Sequence, residues 1–242
     1  MLKESNPLIE LIQSRHSCRA FNRALPVANV LIETILSAAR SAPSSQNNQP
    51  WRCHVFNGDS AKELSNFLLD AFDSGAMENT SNLNQQPPYK NRSKILDELQ
   101  SKGLEQYAGW WFQQLHGIPR EDANGRRQLY RKNYEFYGAP AHIIIAIPSA
   151  SQGIEGSFLD AGCFIQNILL AAKALGLGAI PQYSIAAQQN LIDKWLAGDG
   201  KREKNADDLG VFVAGISIGY PENEMKSEGP PRHPLSDFVS WY

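Results

Sequence analysis

The sequence predicts an α+β fold, in which a few short strands are combined with several longer helices. Residues 51–56 alternate between apolar and polar side chains, as a strand with one exposed face does. Residues 142–147 are apolar and β-branched, which is typical of a central strand covered on both faces, and residues 211–218 form a final predicted strand. The segments between these strands carry apolar residues at helical spacing.

Three helices are predicted in the first part of the chain. Asn6-Pro7 is typical of a helix start, so the first helix is expected to run from there to near Arg15. A second helix begins at Pro26 and is stopped by Pro43. The third helix follows Ser60, and its apolar side chains recur at the spacing of one buried face.

Residues 73–125 differ from the rest of the chain and are predicted to be an insertion of loop and helix. Residues 73–89 are polar with little apolar content, which predicts a mobile loop and a candidate lid. A long amphipathic helix is predicted over residues 95–115, with an interruption at Gly103. Trp110 and Phe112 fall outside its apolar stripe. Core packing, a subunit interface and substrate stacking are all open roles for them.

The second part of the chain contains a helix that is apolar almost all round. This helix is predicted over residues 157–177, and such a surface has to be buried in the core or against a second subunit. The chain ends in an apolar tail, residues 235–242, which is also expected to be covered. The chain shows neither an internal repeat nor a linker, so residues 1–242 are predicted to form a single domain.

Composition and charge argue against several classes of function. A formal net charge of −2 and a pI near 6.2 do not fit a nucleic-acid-binding protein, whose binding depends on a basic excess. A stretch of about 18 apolar residues free of charged and polar interruptions is absent, as is the apolar core of a signal peptide. The sequence therefore predicts a cytoplasmic protein without a membrane partner.

The cysteines and histidines predict neither a disulfide framework nor a metal centre. Cys18, Cys53 and Cys163 are odd in number and lack a close pair such as Cys-x-x-Cys. The five histidines are scattered singly, without the spacing of a helical metal site. We expect three reduced thiols and no bound metal.

Two short segments have the chemistry of a phosphate site and of a site for a flat ring. Residues 15–19 contain Arg15, His16, Ser17 and Arg19, which together offer positive charge and hydrogen-bond donors to phosphate oxygens. Residues 41–51 are rich in Asn and Gln and nearly uncharged. Side-chain amides present donors and acceptors together, so they can read the edge of a heterocycle that carries carbonyls and ring nitrogens.

Other short motifs in the chain do not find their required context. Residues 215–219, Gly-Ile-Ser-Ile-Gly, match the nucleophile elbow of α/β-hydrolases, but loop residues rather than a helix follow them. The expected order of an acid before a histidine is also absent. Gly176-Leu177-Gly178 lacks the third glycine of a dinucleotide fingerprint, so a nicotinamide cofactor, if the protein uses one, has to bind in another way.

Taken together and in order, the two polar segments identify a family. Arg-x-Ser-x-Arg at residues 15–19, followed by Ala-Pro-Ser-Ser-x-Asn-x-Gln-Pro-Trp at residues 42–51, resembles the FMN-dependent nitroreductase family, and its nitrobenzoate-reductase-like branch most closely. The resemblance continues through residues 133–140, 157–177, 180–182, 215–221 and 230–232. It is weakest over residues 73–125.

The resemblance implies a fold, a cofactor and a set of binding residues. The fold would be a small central mixed β-sheet flanked by helices in an interlocked homodimer, with FMN at the subunit interface. By that resemblance, phosphate and ribityl oxygens are held by Arg15, His16, Ser17, Arg19 and Arg232. The ring is lined by Pro43, Ser44, Ser45 and Asn47, its polar edge is reached by Asn133, and its N5 is approached by the backbone around Pro181, Gln182, Tyr183 and Ser184.

The implied activity is the transfer of a hydride from NAD(P)H, through flavin N5, to a nitroaromatic, a quinone or a similar small acceptor by a ping-pong mechanism. Since the cofactor carries the redox chemistry, we assign no catalytic acid or base. Other flavin chemistry remains an alternative, namely flavin reduction for another enzyme or reductive dehalogenation. A non-catalytic FMN-binding protein is the alternative from a different class.

This chain departs from many of the family's members at two positions. Pro230 stands where many relatives have a basic residue, two positions before the late arginine, so the phosphate clamp has one charge less. Tyr183-Ser184 stands where many relatives have Glu-Gly near N5.

Overall fold

The computed structural model describes residues 6–77, 98–151, 153–198, 209–222 and 230–242. These residues belong to two compact units, the larger made of residues 1–88 and 132–225 and the smaller of residues 89–131 and 226–242. The predicted mobile loop at residues 73–89 lies largely outside the described residues. Among those described, no helix is both long enough and apolar enough to cross a membrane.

Helices supply most of the regular structure. Eight α-helices are described, together with a π-helical segment, Gly109–Leu115, that directly follows α4. They are α1 (Pro7–Ser14), α2 (Asn29–Ala39), α3 (Asp59–Asp73), α4 (Glu98–Ala108), α5 (Ala123–Arg131), α6 (Glu155–Ala174), α7 (Tyr183–Ala186) and α8 (Gln189–Gly198). In α1, the predicted N-cap is confirmed, because the Asn6 side chain accepts a hydrogen bond from the Leu8 N–H.

A four-stranded sheet lies at the centre of the larger unit. Its strands are β1 (Arg52–Asn57), β2 (Ala141–Ile147), β3 (Gly178–Gln182) and β4 (Val211–Gly219), in the order β1-β2-β4-β3. The three predicted strands and the α+β class are thus confirmed, while β3 is a strand that the sequence did not predict. The four strands pair antiparallel, so the sheet is antiparallel rather than mixed as the resemblance implied; in the described residues, parallel pairing is seen at the bridge between Ser17 and Ala179.

Helices cover both faces of the sheet, as the apolar run of β2 predicts. Successive residues of a strand point to opposite faces, so Ile143 and Ile145 pack with α2 and α6, whereas Ile144 packs with α3 and α8 on the other face. All seven residues of β2 are buried. The prediction of a strand covered on both faces is confirmed, and the helix at residues 157–177 is confirmed as α6.

The basic segment at residues 15–19 is fixed against the exposed edge of β3. The Cys18 N–H donates to the Ala179 carbonyl over 3.1 Å, next to the bridge between Ser17 and Ala179. This approach requires a glycine in the strand. A Cβ at Gly178 would lie 2.7 Å from the Cβ of Cys18 and 3.2 Å from the ring of Phe21. The backbone therefore carries the predicted phosphate-binding residues directly alongside β3.

The smaller unit has a core of its own. Trp111, Phe112 and Leu129 are buried together, and the Arg126 guanidinium lies 4.4 Å from the centre of the Phe112 ring. Phe112 is thus a core residue of this unit. The predicted interruption at Gly103 is wrong: α4 continues through this glycine, and an added Cβ there would lie 3.0 Å from the His233 imidazole.

Replacing Gly178 tests whether the close approach at β3 determines stability. In Gly178→Ala the new methyl overlaps with Cys18, so we expect a loss of about 1–3 kcal/mol in the free energy of unfolding. Gly162→Ala is the matched control, because it lies on α6 with no atom within 4 Å of an added Cβ. This control is expected to be neutral or more stable by up to about 1 kcal/mol. Equal urea midpoints for the two variants would contradict the packing argument.

Candidate functional site

The residues predicted to bind a phosphate follow one another along the edge of β3. Arg15, His16, Ser17 and Arg19 are all partly buried. The Arg19 guanidinium donates to the Ser17 carbonyl over 3.3 Å, and a ring nitrogen of His16 lies 3.2 Å from the Ser14 carbonyl oxygen. The side chains of an extended segment alternate in direction. Ser17 and Arg19 therefore face away from the side on which Cys18 is buried.

A small pocket lies between this segment and the C-terminal end of α6. Its volume is about 90 Å³, and its lining includes Arg15 and His16 together with Lys173 of α6. Burial raises the pKa of the Cys18 thiol in this lining, so the sulfur is a neutral packing group rather than a thiolate. The pocket is well below the roughly 300 Å³ of a typical cofactor site. Within one chain it has room only for a phosphate-sized group.

The amide-rich loop is held in an unusual backbone conformation. Gln46, Asn47 and Gln49 have φ angles of 52°, 57° and 47°, a left-handed region that residues other than glycine adopt uncommonly. The Ser44 hydroxyl accepts a hydrogen bond from the Gln49 N–H over 3.0 Å. Of the predicted ring contacts, Pro43, Ser45 and Asn47 are exposed and Ser44 is partly buried. The loop is thus ordered while most of its predicted contact residues remain accessible.

Asp160 anchors this loop, and the sequence did not identify it as a site residue. Its side chain is buried, with 7% exposure, in the middle of the larger unit. Both carboxylate oxygens accept the Ser45 N–H, at 3.2 and 3.3 Å. A carboxylate inside an otherwise apolar helix is an informative sequence signal, since an acidic group is rarely buried without a partner.

The segment predicted to approach the ring nitrogen lies where β3 passes into α7. Pro181 and Tyr183 are exposed, Ser184 is partly buried and Gln182 is buried. The first N–H groups of a helix are not used in its own hydrogen bonds, so the backbone donors at the start of α7 point beyond the helix. Gln182 turns its side chain inward, and its amide nitrogen donates to the Asn133 carbonyl over 2.7 Å.

A buried histidine continues this contact into the sheet. His142 has 0% exposure and stacks on Phe136, with 3.9 Å between the ring centres. Its Nδ1 lies 3.0 Å from the Ser217 hydroxyl, which itself donates to the Gln182 side-chain oxygen. Burial lowers the pKa of His142 to about 3. The imidazole is therefore neutral near pH 7.

Most of the predicted residues fall into neighbouring groups within the larger unit. The basic segment lies beside β3, whose end carries residues 181–184, and Asn133 contacts Gln182. The loop at residues 43–47 is joined to α6 through Asp160. Arg232 belongs to the smaller unit, where it is exposed. Asp160, Lys173, His142 and Ser217 are the additions that the structure makes to the predicted set.

Comparisons with known proteins agree on one family. The model of the nitroreductase family matches residues 12–220. The 4-nitrobenzoate reductase of Pseudomonas putida is 33% identical over 233 residues, which cover 95% of this chain and 92% of the relative. The chloronitrobenzene nitroreductase of Comamonas testosteroni is 32% identical over 222 residues, or 91% of this chain and 90% of the relative.

Solved structures share the fold. The crystal structure of the FMN- and NADPH-dependent nitroreductase NfnB from Sphigopyxis sp. strain HMH superposes with a TM-score of 0.75 at 26% identity. The match covers 98% of this chain and 99% of the other. The predicted nitroreductase-like fold is therefore confirmed.

The lowered pKa of His142 predicts how stability depends on pH. Above pH 6.5 the imidazole is neutral in both the folded and the unfolded chain. Below pH 6.5 this histidine is protonated in the unfolded chain, whereas in the folded chain it stays neutral down to about pH 3. Stability therefore falls as the pH falls, and at pH 5 this group costs about 2 kcal/mol. Urea unfolding at pH 7 and pH 5 measures the difference.

The control for this measurement is His54, a partly buried histidine on β1. His142→Gln should lose most of the difference in unfolding free energy between pH 7 and pH 5, whatever its stability at pH 7. His54→Gln should retain the wild-type difference. If His142→Gln keeps the full pH dependence, the histidine is not held neutral in the folded protein.

Proposed function

The chain belongs to the nitroreductase family, and on this premise we propose that it is an FMN-dependent oxidoreductase. It transfers reducing equivalents from NAD(P)H to a nitroaromatic, a quinone or a similar small acceptor by a ping-pong mechanism. The observation that carries the proposal is the parallel contact of residues 15–19 with β3. This contact sets a basic segment suited to phosphate beside residues 181–184, which are suited to a ring.

The residues present fit FMN better than a dinucleotide. The basic segment and the neighbouring pocket offer room and positive charge for one phosphate, whereas a pyrophosphate is usually bound by a glycine-rich turn at a helix start. The exposed side chains of residues 43–47 offer uncharged polar contacts to a ring. In this proposal Arg15, His16, Ser17, Arg19 and Arg232 hold the phosphate and the ribityl chain, and Asn133 and the backbone of residues 181–184 meet the ring.

The protein's own contribution is orientation and charge. When bound, FMN supplies the redox chemistry, because its ring accepts a hydride from NAD(P)H and delivers electrons to the acceptor. Arg19 and its basic neighbours neutralise the phosphate, and the anchored loop at residues 44–49 fixes polar groups in place before binding. Preorganised polar groups cost little to reorient during the reaction. We therefore assign no side chain as a catalytic acid or base, and the protons that the acceptor takes up come from solvent.

The names of the relatives support a nitroaromatic as the acceptor. One relative is named for the reduction of 4-nitrobenzoate and another for chloronitrobenzene, at 33% and 32% identity. The solved relative at 26% identity is FMN- and NADPH-dependent. These names support the proposed acceptor class and the use of NADPH here. All three cysteines are unpaired thiols, which supports the proposed location in the cytoplasm.

A second copy of the chain completes the proposed site. Large apolar side chains are exposed on α1 and along the tail at residues 235–242, where Trp241 is 88% exposed. Exposed apolar surface of this kind marks an interface. The pocket within one chain is too small for a flavin ring. An interlocked homodimer accounts for both features, because it covers the apolar side chains and adds walls to the site.

The identity of the bound flavin tests the proposed function most simply. Protein purified with its cofactor is heated, and the released compound is separated by chromatography. The proposal expects FMN in a ratio near one per chain. Release of FAD would contradict the assignment of the cofactor. A protein that takes up no flavin even after reconstitution would contradict the proposed function as a whole.

Arg19 is predicted to bind the cofactor directly. Removing one member of a charged hydrogen bond costs about 1.5–3 kcal/mol, so Arg19→Ala should weaken FMN binding by roughly ten- to a hundredfold. Arg19→Lys should restore only part of the affinity, because lysine keeps the charge but not the two-pronged geometry. The measurement is a titration of the apoprotein with FMN.

Arg23 supplies the control for this titration. Its guanidinium pairs with Glu135 over 3.0 Å at the surface of the larger unit. Arg23→Ala should therefore bind FMN like the wild type. An unchanged dissociation constant in Arg19→Ala would remove Arg19 from the site.

The dimer predicts a particular role for the tail. Light scattering on the full chain should give twice the mass of 26.9 kDa. Ending the chain after Leu235 removes the exposed aromatic residues, so we expect weaker assembly and loss of flavin. A mass of one chain for the full protein would refute the dimer. A shortened chain that stays dimeric and loaded with flavin would show that the tail is dispensable.

A further inference from the structure

A chain of polar side chains crosses the otherwise apolar face of the sheet. It runs from His142 on β2 to Ser217 on β4 and Gln182 on β3, and ends at the backbone carbonyl of Asn133. The three side chains have 0%, 0% and 2% exposure. Polar groups buried at this depth are costly unless their hydrogen bonds are made. Their presence in the core therefore needs an explanation beyond packing.

The chemistry of the groups fixes the direction of every link. The Asn133 carbonyl can only accept, so Gln182 has to turn its NH₂ group toward it. The Gln182 side-chain oxygen then faces Ser217, whose hydroxyl has to donate. Having given its proton, the Ser217 oxygen accepts from the Nδ1–H of His142. Reversing any link sets an acceptor against an acceptor, so only one arrangement satisfies the chain.

The proton on Nδ1 agrees with the surroundings of the other ring nitrogen. In the part of the chain that the structure describes, Nε2 of His142 has no hydrogen-bond partner. It lies against Gly215, where an added Cβ would come within 2.5 Å. A buried N–H without a partner is rarer in proteins than a buried acceptor without one. The neutral imidazole with its proton on Nδ1 is therefore the form that suits this position.

The last two members of the chain, Gln182 and Asn133, lie in segments that the proposed function brings to the flavin ring. Gln182 directly precedes Tyr183 and Ser184, and Asn133 was assigned to the polar edge of the ring. We infer that the His142–Ser217–Gln182 chain positions these two segments relative to each other and so sets the affinity and the reduction potential of the bound flavin. This inference rests on the proposed function. Ser217 and the side chain of Gln182 are positioning groups, because they point into the core and act on the ring only through the backbone that they hold.

The polar chain holds the segment at residues 181–184 in place, although this segment lacks the Glu-Gly of many relatives. Tyr183-Ser184 replaces the Glu-Gly that many relatives have, and Tyr183 is itself exposed. The inward hydrogen bonds of Gln182 therefore supply the fixed point from which residues 183 and 184 extend. His142 fixes the rotation of the Ser217 hydroxyl. Because the Nδ1–H of His142 donates to the Ser217 oxygen, the hydroxyl proton has to point toward the Gln182 side-chain oxygen.

Ser217→Ala breaks the middle of the chain and leaves His142 and Gln182 without their partner. We expect the apoprotein of this variant to bind oxidised FMN about tenfold more weakly than the wild type does. Its affinity for reduced FMN should fall by a further factor of about ten. For a two-electron couple, that further factor lowers the midpoint potential by about 30 mV. Gln182→Met keeps the length of the side chain but not the amide, so it should lower FMN affinity and midpoint potential by about as much as Ser217→Ala does. In the double variant the losses should not add, because both changes break the same chain.

Ile144→Val is the matched control. Ile144 is fully buried on the same face of β2, two residues from His142, and lies outside the polar chain. Removing one methylene lowers stability in a similar way, but FMN affinity and midpoint potential should stay at their wild-type values. If Ile144→Val changes both as much as Ser217→Ala does, the chain acts through stability alone and the inference fails.

Histidine nitrogen shifts in the wild-type apoprotein test the direction of the chain without any flavin. With ¹⁵N-labelled histidine, His142 is identified by the loss of its signals in His142→Gln, and we expect a neutral ring with its proton on Nδ1. A proton on Nε2 would overturn the inference. Wild-type protein that fails to bind FMN would contradict the proposed function itself. Wild-type binding with unchanged affinity and potential in Ser217→Ala would contradict only the positioning role.

Discussion

The close contact between the basic segment and the edge of β3 is the constraint on which the site depends. It exists because Gly178 has no side chain, so that Cys18 and Phe21 can pack against the strand. The parallel bridge from Ser17 to Ala179 then determines where Arg15 and Arg19 lie relative to the end of β3. The proposed phosphate-binding residues and the segment at residues 181–184 are thus placed along the same edge of the sheet.

The charged groups of the site lie at the surface, and the polar groups in the core beneath it are neutral. Cationic groups lie at the edge, where Arg15 and Lys173 line the small pocket and stay in contact with water. The polar chain in the apolar core behind it is neutral, because burial keeps His142 uncharged and Ser217 and Gln182 carry no charge. A charged group at that depth would carry a large desolvation cost. The protein can thus fix a ring-binding segment without adding charge beneath it.

Local patterns were sufficient to predict much of this architecture. The apolar β-branched run gave β2, the helical spacing gave α6, and the paired motifs at residues 15–19 and 42–51 led to the family. Strand β3 was missed because it has only five residues and contains Pro181, which normally argues against a strand. As an edge strand in the order β1-β2-β4-β3 it tolerates that proline, since one side needs no partner. Gly103 was read as an interruption, although the helix passes through it.

Contacts between residues far apart in sequence could not be predicted. Asp160 meets Ser45 from 115 residues away, and Ser217 meets Gln182 from 35 residues away. A single sequence carries no record of such pairs, because each residue has an acceptable local role of its own. Asp160 in an apolar helix indicates that a buried partner exists but not which residue it is, and His142 looks like a polar residue at the start of a strand. The role of Asp160 becomes visible only when α6 packs against the loop at residues 43–47, and that of His142 only when the register of the sheet sets it opposite Ser217.

The proposed enzyme passes electrons from a nicotinamide to its flavin and from the flavin to a nitroaromatic. Rapid mixing without oxygen tests it in two halves, each followed by flavin absorbance. NADPH or NADH alone should bleach the flavin, and 4-nitrobenzoate added to the bleached protein should restore the absorbance. If neither nicotinamide bleaches the flavin, or if the bleached protein reacts with neither a nitroaromatic nor a quinone, the claim is contradicted.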